Sequence, residues 1–401
     1  MAIDARKPPL QPGARIKRIA GGGTSWAGLF VQLGVLMLVL WIGYEIVANV
    51  RANLRTQGIA SGFGFLANPA GFSISQTLIP YSESDSYARV FLVGLINTLV
   101  VSAIGIVIAT IIGFAVGLGR LSPNWLLSRL AGGYVELIRN LPLLYQILFW
   151  YLAVLGALPG PRQSLSPISG VFLSNRGIVV PRPIPQDSFA FFCCALLLAI
   201  IVAFALRAYA RRALFREGRV VRVWPYALAV LIGLPALAAA VFGTPLHLEL
   251  PVLRGFNFAG GARVLPEFVA LTIALSTYTA AFIAENVRSG VQSVQQGQWE
   301  AGQSLGLSRG QLLRLIVVPQ AMRVILPPLT NQYLNLTKNS SLAVAVGYPD
   351  LFSVFAGTTL SQTGQAIEII AMTMAVYLLI SLVTSALMSV YGWRINRMGA
   401  S

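Results

Sequence analysis

Side chains that carry out covalent chemistry are scarce in this 401-residue chain. There is one histidine, His247, and there are two cysteines, Cys193 and Cys194, side by side in an apolar run. One histidine excludes a multi-histidine metal site. Adjacent cysteines seldom supply the Cα separation and Cβ directions that a disulfide needs. The three lysines, Lys7, Lys17 and Lys338, are not followed by serine or threonine, so the G-x4-G-K-[ST] phosphate loop is missing. Nothing in the sequence joins a nucleophile to a base. The chain therefore reads as non-enzymatic, without a cofactor of its own and unable to bind ATP in the P-loop manner.

The remaining polar residues suit transport or packing. Glu136 and Arg139 stand three apart, as do Glu285 and Arg288, and that spacing shares a helix face. Such pairs either snorkel to headgroups or act as a gate or brace. Lys338 lies among Asn335, Asn339, Ser340 and Ser341. A charge inside a membrane segment is costly and marks a pathway or a pairing partner, unless it sits at the headgroups. A broken helix there would offer free backbone groups to a zwitterion. Asn97, Thr98, Thr277 and Tyr278 are further candidates for a substrate path, together with Asn335, Lys338 and Ser341. The alternative for Asn97, Thr98, Thr277 and Tyr278 is interhelical hydrogen bonding, worth about 0.6 kcal/mol each. Gly113 and Gly117 form a G-x-x-x-G that suits close helix packing.

Residues 288–320 read RSGVQSVQQGQWEAGQSLGLSRGQLLRLIVVPQ. Local chemistry predicts two short helices and a bend. The first holds Trp299 to Leu305, and Gly306 can take the left-handed conformation that ends it. Ser308 then caps a second helix, with Gln311 three residues on as in a capping box. Pro319 and Pro327–Pro328 punctuate the approach to the next span.

Glu300, Ala301, Gly302, Gly306, Ile316 and Pro319 fall at the spacing E-A-A-x3-G-x9-I-x-x-P. This resembles the EAA loop of bacterial ABC importer permeases, with Gly302 at the third small position and Val318 in place of leucine. YVELIRNLP at 134–142, AENVRSGVQSV at 284–294 and KNSSL at 338–342 are similar to the polar amino-acid subgroup. The layout, with an extra N-terminal span and an insertion, resembles the larger permease of general L-amino-acid importers. The resemblance implies a type I importer permease fold and ATPase coupling through Glu300, Ala301, Gly302, Gly306 and Pro319. In that family the glutamate would lie near a helix start, where negative charge is favoured. It also implies an ATPase dimer that binds ATP and Mg²⁺, a second permease subunit (a paralogue), a periplasmic amino-acid-binding protein and an L-amino-acid substrate.

The elements that must position these residues are transmembrane. Only 10% of residues are charged and 56% are hydrophobic, against about 25% charged in soluble domains. About 20 apolar residues cross a bilayer core as a helix. Eight runs qualify, near 27–49, 90–119, 131–157, 188–206, 224–242, 267–287, 321–347 and 366–391. The class is an all-α polytopic bundle in a lipid surround. The net charge of +16 follows loop topology and not a nucleic-acid partner, since no basic stripe is interleaved with stacking aromatics. Arginines and lysines gather before span one, after span four and after span eight, which puts both termini in the cytoplasm of a multi-pass inner-membrane protein.

The resulting plan is a cytoplasmic tail (1–26), a signal-anchor span and external loop (27–89), and the first part of the core (90–157). An insertion with two extra spans follows (158–264), then the second part of the core (265–392) and a short tail (393–401). The proline-rich stretch 158–187 should be extended and non-helical. The rival within membranes is an ion-coupled secondary transporter, which needs intramembrane carboxylates or histidine and leaves the 288–320 segment unexplained.

Overall fold

The computed structural model describes residues 26–56 and 62–398; the basic N-terminal tail and residues 399–401 lie outside them. The chain divides after Gly62. The first unit holds α1 (Trp26–Thr56) over the run expected as span one, with Phe30, Met37 and Trp41 exposed along it.

The second unit opens with α2 (Tyr87–Arg120) and α3 (Trp125–Asn140). Next comes α4 (Leu143–Leu148), which continues as a π-helical turn at Phe149–Leu155. α5 (Phe189–Glu217), α6 (Trp224–Phe242) and α7 (Pro266–Gln292) follow. The short α8 (Gln296–Ser304) and α9 (Arg309–Leu312) lead into α10 (Val318–Asn339), and α11 (Leu360–Thr363) precedes α12 (Ala366–Met398). Among the described residues seven helical stretches are long and apolar enough to cross a membrane, and α3–α4 makes an eighth if the bent pair counts as one span. The helical class holds.

The third expected span is not one straight helix: α3 and α4 meet at 107°. Pro142 causes the break. A residue before proline is pushed out of the helical region, and Leu141 has φ −98° and ψ 130°. The Gln146 side chain then donates to the carbonyls of Ile138 and Leu141, both at 3.0 Å, and so satisfies the broken end. The fourth span also differs from expectation. α5 runs on to Glu217, so Arg207, Arg211, Arg212 and Arg216 lie on its last turns and not in a loop. Pro327 and Pro328 fall inside α10 and do not delay its start.

The two loops that flank α5 and α6 form strands. β1 (Leu165–Ile168), β2 (Val171–Ser174) and β3 (Gly177–Val180) form an antiparallel sheet that β8 (Ala262–Val264) completes. β4 (Arg182–Pro185) pairs with β5 (Leu246–Glu249), and β6 (Val252–Arg254) pairs with β7 (Asn257–Ala259). The prolines that forbid helix at 181–185 are accommodated because β4 has a partner on one side only.

The core is built on α2 against α7. Lipid tails are as apolar as leucine, so helices in a bilayer associate through close packing and hydrogen bonds. The G-x-x-x-G supplies the closeness. A Cβ on Gly113 would stand 2.6 Å from Ile283 Cβ, and one on Gly117 would stand 2.8 Å from the Ala284 carbonyl. Ser276 on α7 donates to the Gly105 carbonyl at 3.4 Å. α10 packs on the same side, with Leu336 against Gly105 and Ile325 against Gly290. Gly113→Val should therefore sharply lower the yield of folded chain recovered from membranes. Gly132→Ala, where an added Cβ meets nothing within 4 Å, should leave it unchanged. Equal yields of the two variants would contradict the packing.

Candidate functional site

The segment expected to bend does so. α8 ends in a full Schellman motif: Gly306 donates to Gln303 O at 2.9 Å and Leu307 to Gly302 O at 3.2 Å. This closure needs a left-handed residue, and Gly306 has φ +72°. Ser308 and Gln311 then form the expected capping box, with the Ser308 N–H donating to Gln311 Oε1 at 2.9 Å. α9 passes through a π-helical turn at Leu313–Val317 into α10. α8 lies back on this second limb, tied by Gln320 Nε2 donating to Gln298 Oε1 at 3.2 Å.

The small residues of the segment divide by role. Gly302 is buried, and a Cβ there would come within 2.6 Å of Leu312 Cδ1 and 3.0 Å of Ile316 Cδ1. Its smallness lets α8 lie against the following helix. Glu300, Ala301 and Gly306 are exposed, and Leu305 is 78% exposed. Glu300 is the fifth residue of α8, so it does not sit at the helix start as the resemblance implied. Pro319 occupies the first turn of α10, where its missing N–H costs nothing. Trp299, Gln303, Leu307, Arg309 and Leu312 line a recess of about 360 Å³ between the limbs.

One charged cluster stands where α7 approaches this segment. Glu285 accepts hydrogen bonds from Arg120, at the end of α2, and from Arg288 on the next turn. Arg139, at the end of α3, reaches the same carboxylate at 3.9 Å and lies over the Phe282 ring at 5.0 Å. The expected Glu285–Arg288 pair is thus the centre of a brace across three helices. Glu136 does not join it: it is exposed, and Arg139 turns to Glu285 instead. Arg120 was not foreseen. Its signal, a cation in the last turn of a long apolar helix, is too common to single out.

The path candidates separate into three places. Asn97 is fully buried, and its Nδ2 donates to Gln76 O at 3.0 Å and to Pro349 O at 2.8 Å. The Thr98 hydroxyl accepts from the Leu351 N–H at 2.9 Å. Both pin the 347–351 segment onto α2. Thr277 Oγ1 donates to its own helix at Ile273 O, and its carbonyl accepts from Tyr134 OH at 2.7 Å. Tyr278 leans on Phe282 with ring centroids 5.0 Å apart. Asn335 is exposed on α10. Lys338 and Ser341 line a cavity of about 420 Å³ with Phe352, Thr373, Met374 and Tyr377.

Beside that cavity the sequence reading missed Asp350. It is wholly buried, accepts from the Ser353 N–H at 2.8 Å and from Tyr377 OH at 3.3 Å, and so starts the helical turn at Phe352–Thr359. Its sequence signal was an aspartate three residues before serine, a pattern that marks many helix starts.

Glu285→Gln should lower the stability of the purified chain by about 1.5–3 kcal/mol, since three guanidinium groups would lose their shared anion. Glu136→Gln should change it by less than about 0.5 kcal/mol. Thermal unfolding in detergent measures both, and equal midpoints would contradict the brace.

Known protein sequences match this chain over almost its whole length. Residues 105–397 match the family of binding-protein-dependent transport system inner membrane components. YhdX of Escherichia coli, a protein named for amino-acid ABC transporter permeases, is 54% identical over 92% of this chain and 94% of its own. The general L-amino acid transport system permease protein AapQ of Rhizobium johnstonii is 45% identical over 92% of this chain and 94% of its own. The glutamate/glutamine/aspartate/asparagine transport system permease protein BztB of Rhodobacter capsulatus is 38% identical over 92% of this chain and 93% of its own. With the family model spanning the helical core and these relatives covering nearly all of it, the chain belongs to the binding-protein-dependent transport system inner membrane components.

Proposed function

We propose that this chain is the membrane-spanning subunit of an importer for L-amino acids, driven by a separate ATPase dimer that docks on α8. The observation that carries the reading is the exposed face of α8. Glu300, Ala301 and Leu305 are presented outward, while the Schellman closure and the capping box fix the angle of the helix on its second limb. A carboxylate and a leucine held outward on a fixed bend offer a shaped, preorganised surface to a partner groove. The ATPase holds ATP and Mg²⁺, and its closure pushes α8.

Motion at α8 reaches the bilayer along α7, which is separated from α8 by three residues. The Arg120–Glu285–Arg139 brace carries it to α2 and α3. The spans then alternate between outward and inward access. Amino acids are the substrate class supported by the names of the relatives. Lys338 and Ser341 offer a cation and a hydroxyl to a carboxylate in a cavity of suitable size. A paralogous second permease and a periplasmic binding protein complete the complex. The basic loops set both termini in the cytoplasm of the inner membrane.

Uptake of labelled L-amino acids into cells expressing the complete complex tests this. Gly306→Val places a β-branched residue at φ +72°, where even an unbranched one costs roughly 1–2 kcal/mol, and Glu300→Lys reverses the charge on the exposed face. Both should abolish uptake and weaken recovery of the ATPase, with near-normal amounts of this chain in the membrane. Normal uptake and normal ATPase recovery in both, at matched expression, would defeat the coupling reading.

A further inference from the structure

α5 and α6 pack on each other, and between α5 and the first turns of α6 lies a groove of about 630 Å³. Its walls are apolar. Ile200, Ala203 and Phe204 form one face of α5, and Ala227, Leu228 and Leu231 face them from α6. Phe204 is 68% exposed and Leu228 51% exposed, so the slot is open along its length.

One end of the groove has a different chemistry. Arg207 stands there, one turn on from Ala203, and Trp224 stands opposite at the start of α6. Arg211 lies a further turn along the same row of α5. Arg212 and Arg216 follow, then Arg219 and Arg222 in the connection, and Glu217 is the only acid between Arg207 and Arg222. The N-terminal end of α6 points into the same region without a side-chain cap, and its free N–H groups add positive potential. Trp224, exposed at this end, is the residue type that settles at headgroup depth.

An apolar slot with an excess of guanidinium at its mouth complements a molecule with an apolar tail and an anionic head. A zwitterionic lipid would fill the slot but leave that excess uncompensated. We infer that the α5–α6 groove binds an anionic phospholipid of the surrounding bilayer, one acyl chain lying between Phe204 and Leu228 and the phosphate held by Arg207. The remaining arginines raise the local concentration of anionic headgroups. The site lies in the 158–264 insertion, shares no lining residue with the α8 recess or the Lys338 cavity, and does not depend on what the protein transports.

Bromine on an acyl chain quenches tryptophan on contact. The full chain, purified with its co-purifying subunits, is placed in phosphatidylcholine nanodiscs that contain a small fraction of brominated phosphatidylglycerol or brominated phosphatidylcholine. The Trp224 contribution is the difference between the unaltered chain and Trp224→Phe. Brominated phosphatidylglycerol should quench Trp224 at about one-fifth the mole fraction that brominated phosphatidylcholine requires, as expected for one interfacial arginine. Arg207→Gln should abolish that preference. Ala227→Phe, which fills the slot and leaves every arginine in place, should abolish it too, and it decides the matter if Arg207→Gln fails to insert. Equal quenching by the two lipids would overturn the inference, as would an undiminished preference in Ala227→Phe. Absence of quenching together with a crosslink from Ala203→Cys to another subunit would also overturn it, by giving the groove a protein occupant.

Discussion

Everything in this molecule depends on how closely α2 approaches α7. In a bilayer the hydrophobic effect does not favour one helix pairing over another, so the pair must hold through contact distance. Gly113 and Gly117 remove the side chains that would keep the backbones apart, and Ile283, Ala284 and Val287 occupy the space. α7 is the element that leads to α8. Its position against α2 therefore determines where the bent segment emerges. α10, which receives the other limb of that segment, is seated by Leu336 on Gly105 and by Ile325 on Gly290. The two ends of the bend are thus anchored on one rigid pair.

The charged brace makes sense within that frame. Glu285 sits on α7 two turns before its end and draws in Arg120 from α2 and Arg139 from α3. One carboxylate among three guanidinium groups leaves the cluster positive, which favours rearrangement over permanent closure. Charge-assisted bonds of this type are strong but geometrically demanding, so the cluster is sensitive to the position of α7. Packing near Gly113 tolerates no adjustment. The molecule therefore combines a tightly packed middle with a charged cluster beside the bent segment.

Much of this was legible in the sequence. The spans, Gly306 as the left-handed residue, the Ser308–Gln311 box and the Gly113–Gly117 contact all follow from local rules that need no tertiary context. The bend at Pro142 was equally local, since the constraint on Leu141 comes from its neighbour; hydropathy alone ran the third span straight through it. Other features could not be read. Arg139 joins Glu285 rather than Glu136 because α3 is brought against α7, a long-range fact with no trace in spacing. Asn97 and Thr98 were candidates for a substrate path, yet their polar groups hold the 347–351 segment, whose sequence carries no mark of its partner. Two of the three sheets of the insertion join strands from two loops separated by α5 and α6, and short strands of that kind have little intrinsic preference to detect. Gly302 was read only through its place in the EAA-like pattern, and that its smallness also seats Leu312 and Ile316 of the same chain is a tertiary fact.

The central claim is that α8 is a surface helix whose outward face meets an ATPase while its inward face is closed by the second limb. Cysteine crosslinking across the intact complex measures this directly. In a chain with Cys193→Ser and Cys194→Ser, Leu305→Cys replaces a residue that is 78% exposed. It should crosslink to the co-purifying ATPase subunit, with a yield that changes when ATP is added. Leu312→Cys, at a position 2% exposed against Gly302, should give no crosslink. A crosslink at position 312 with none at 305 would contradict the account.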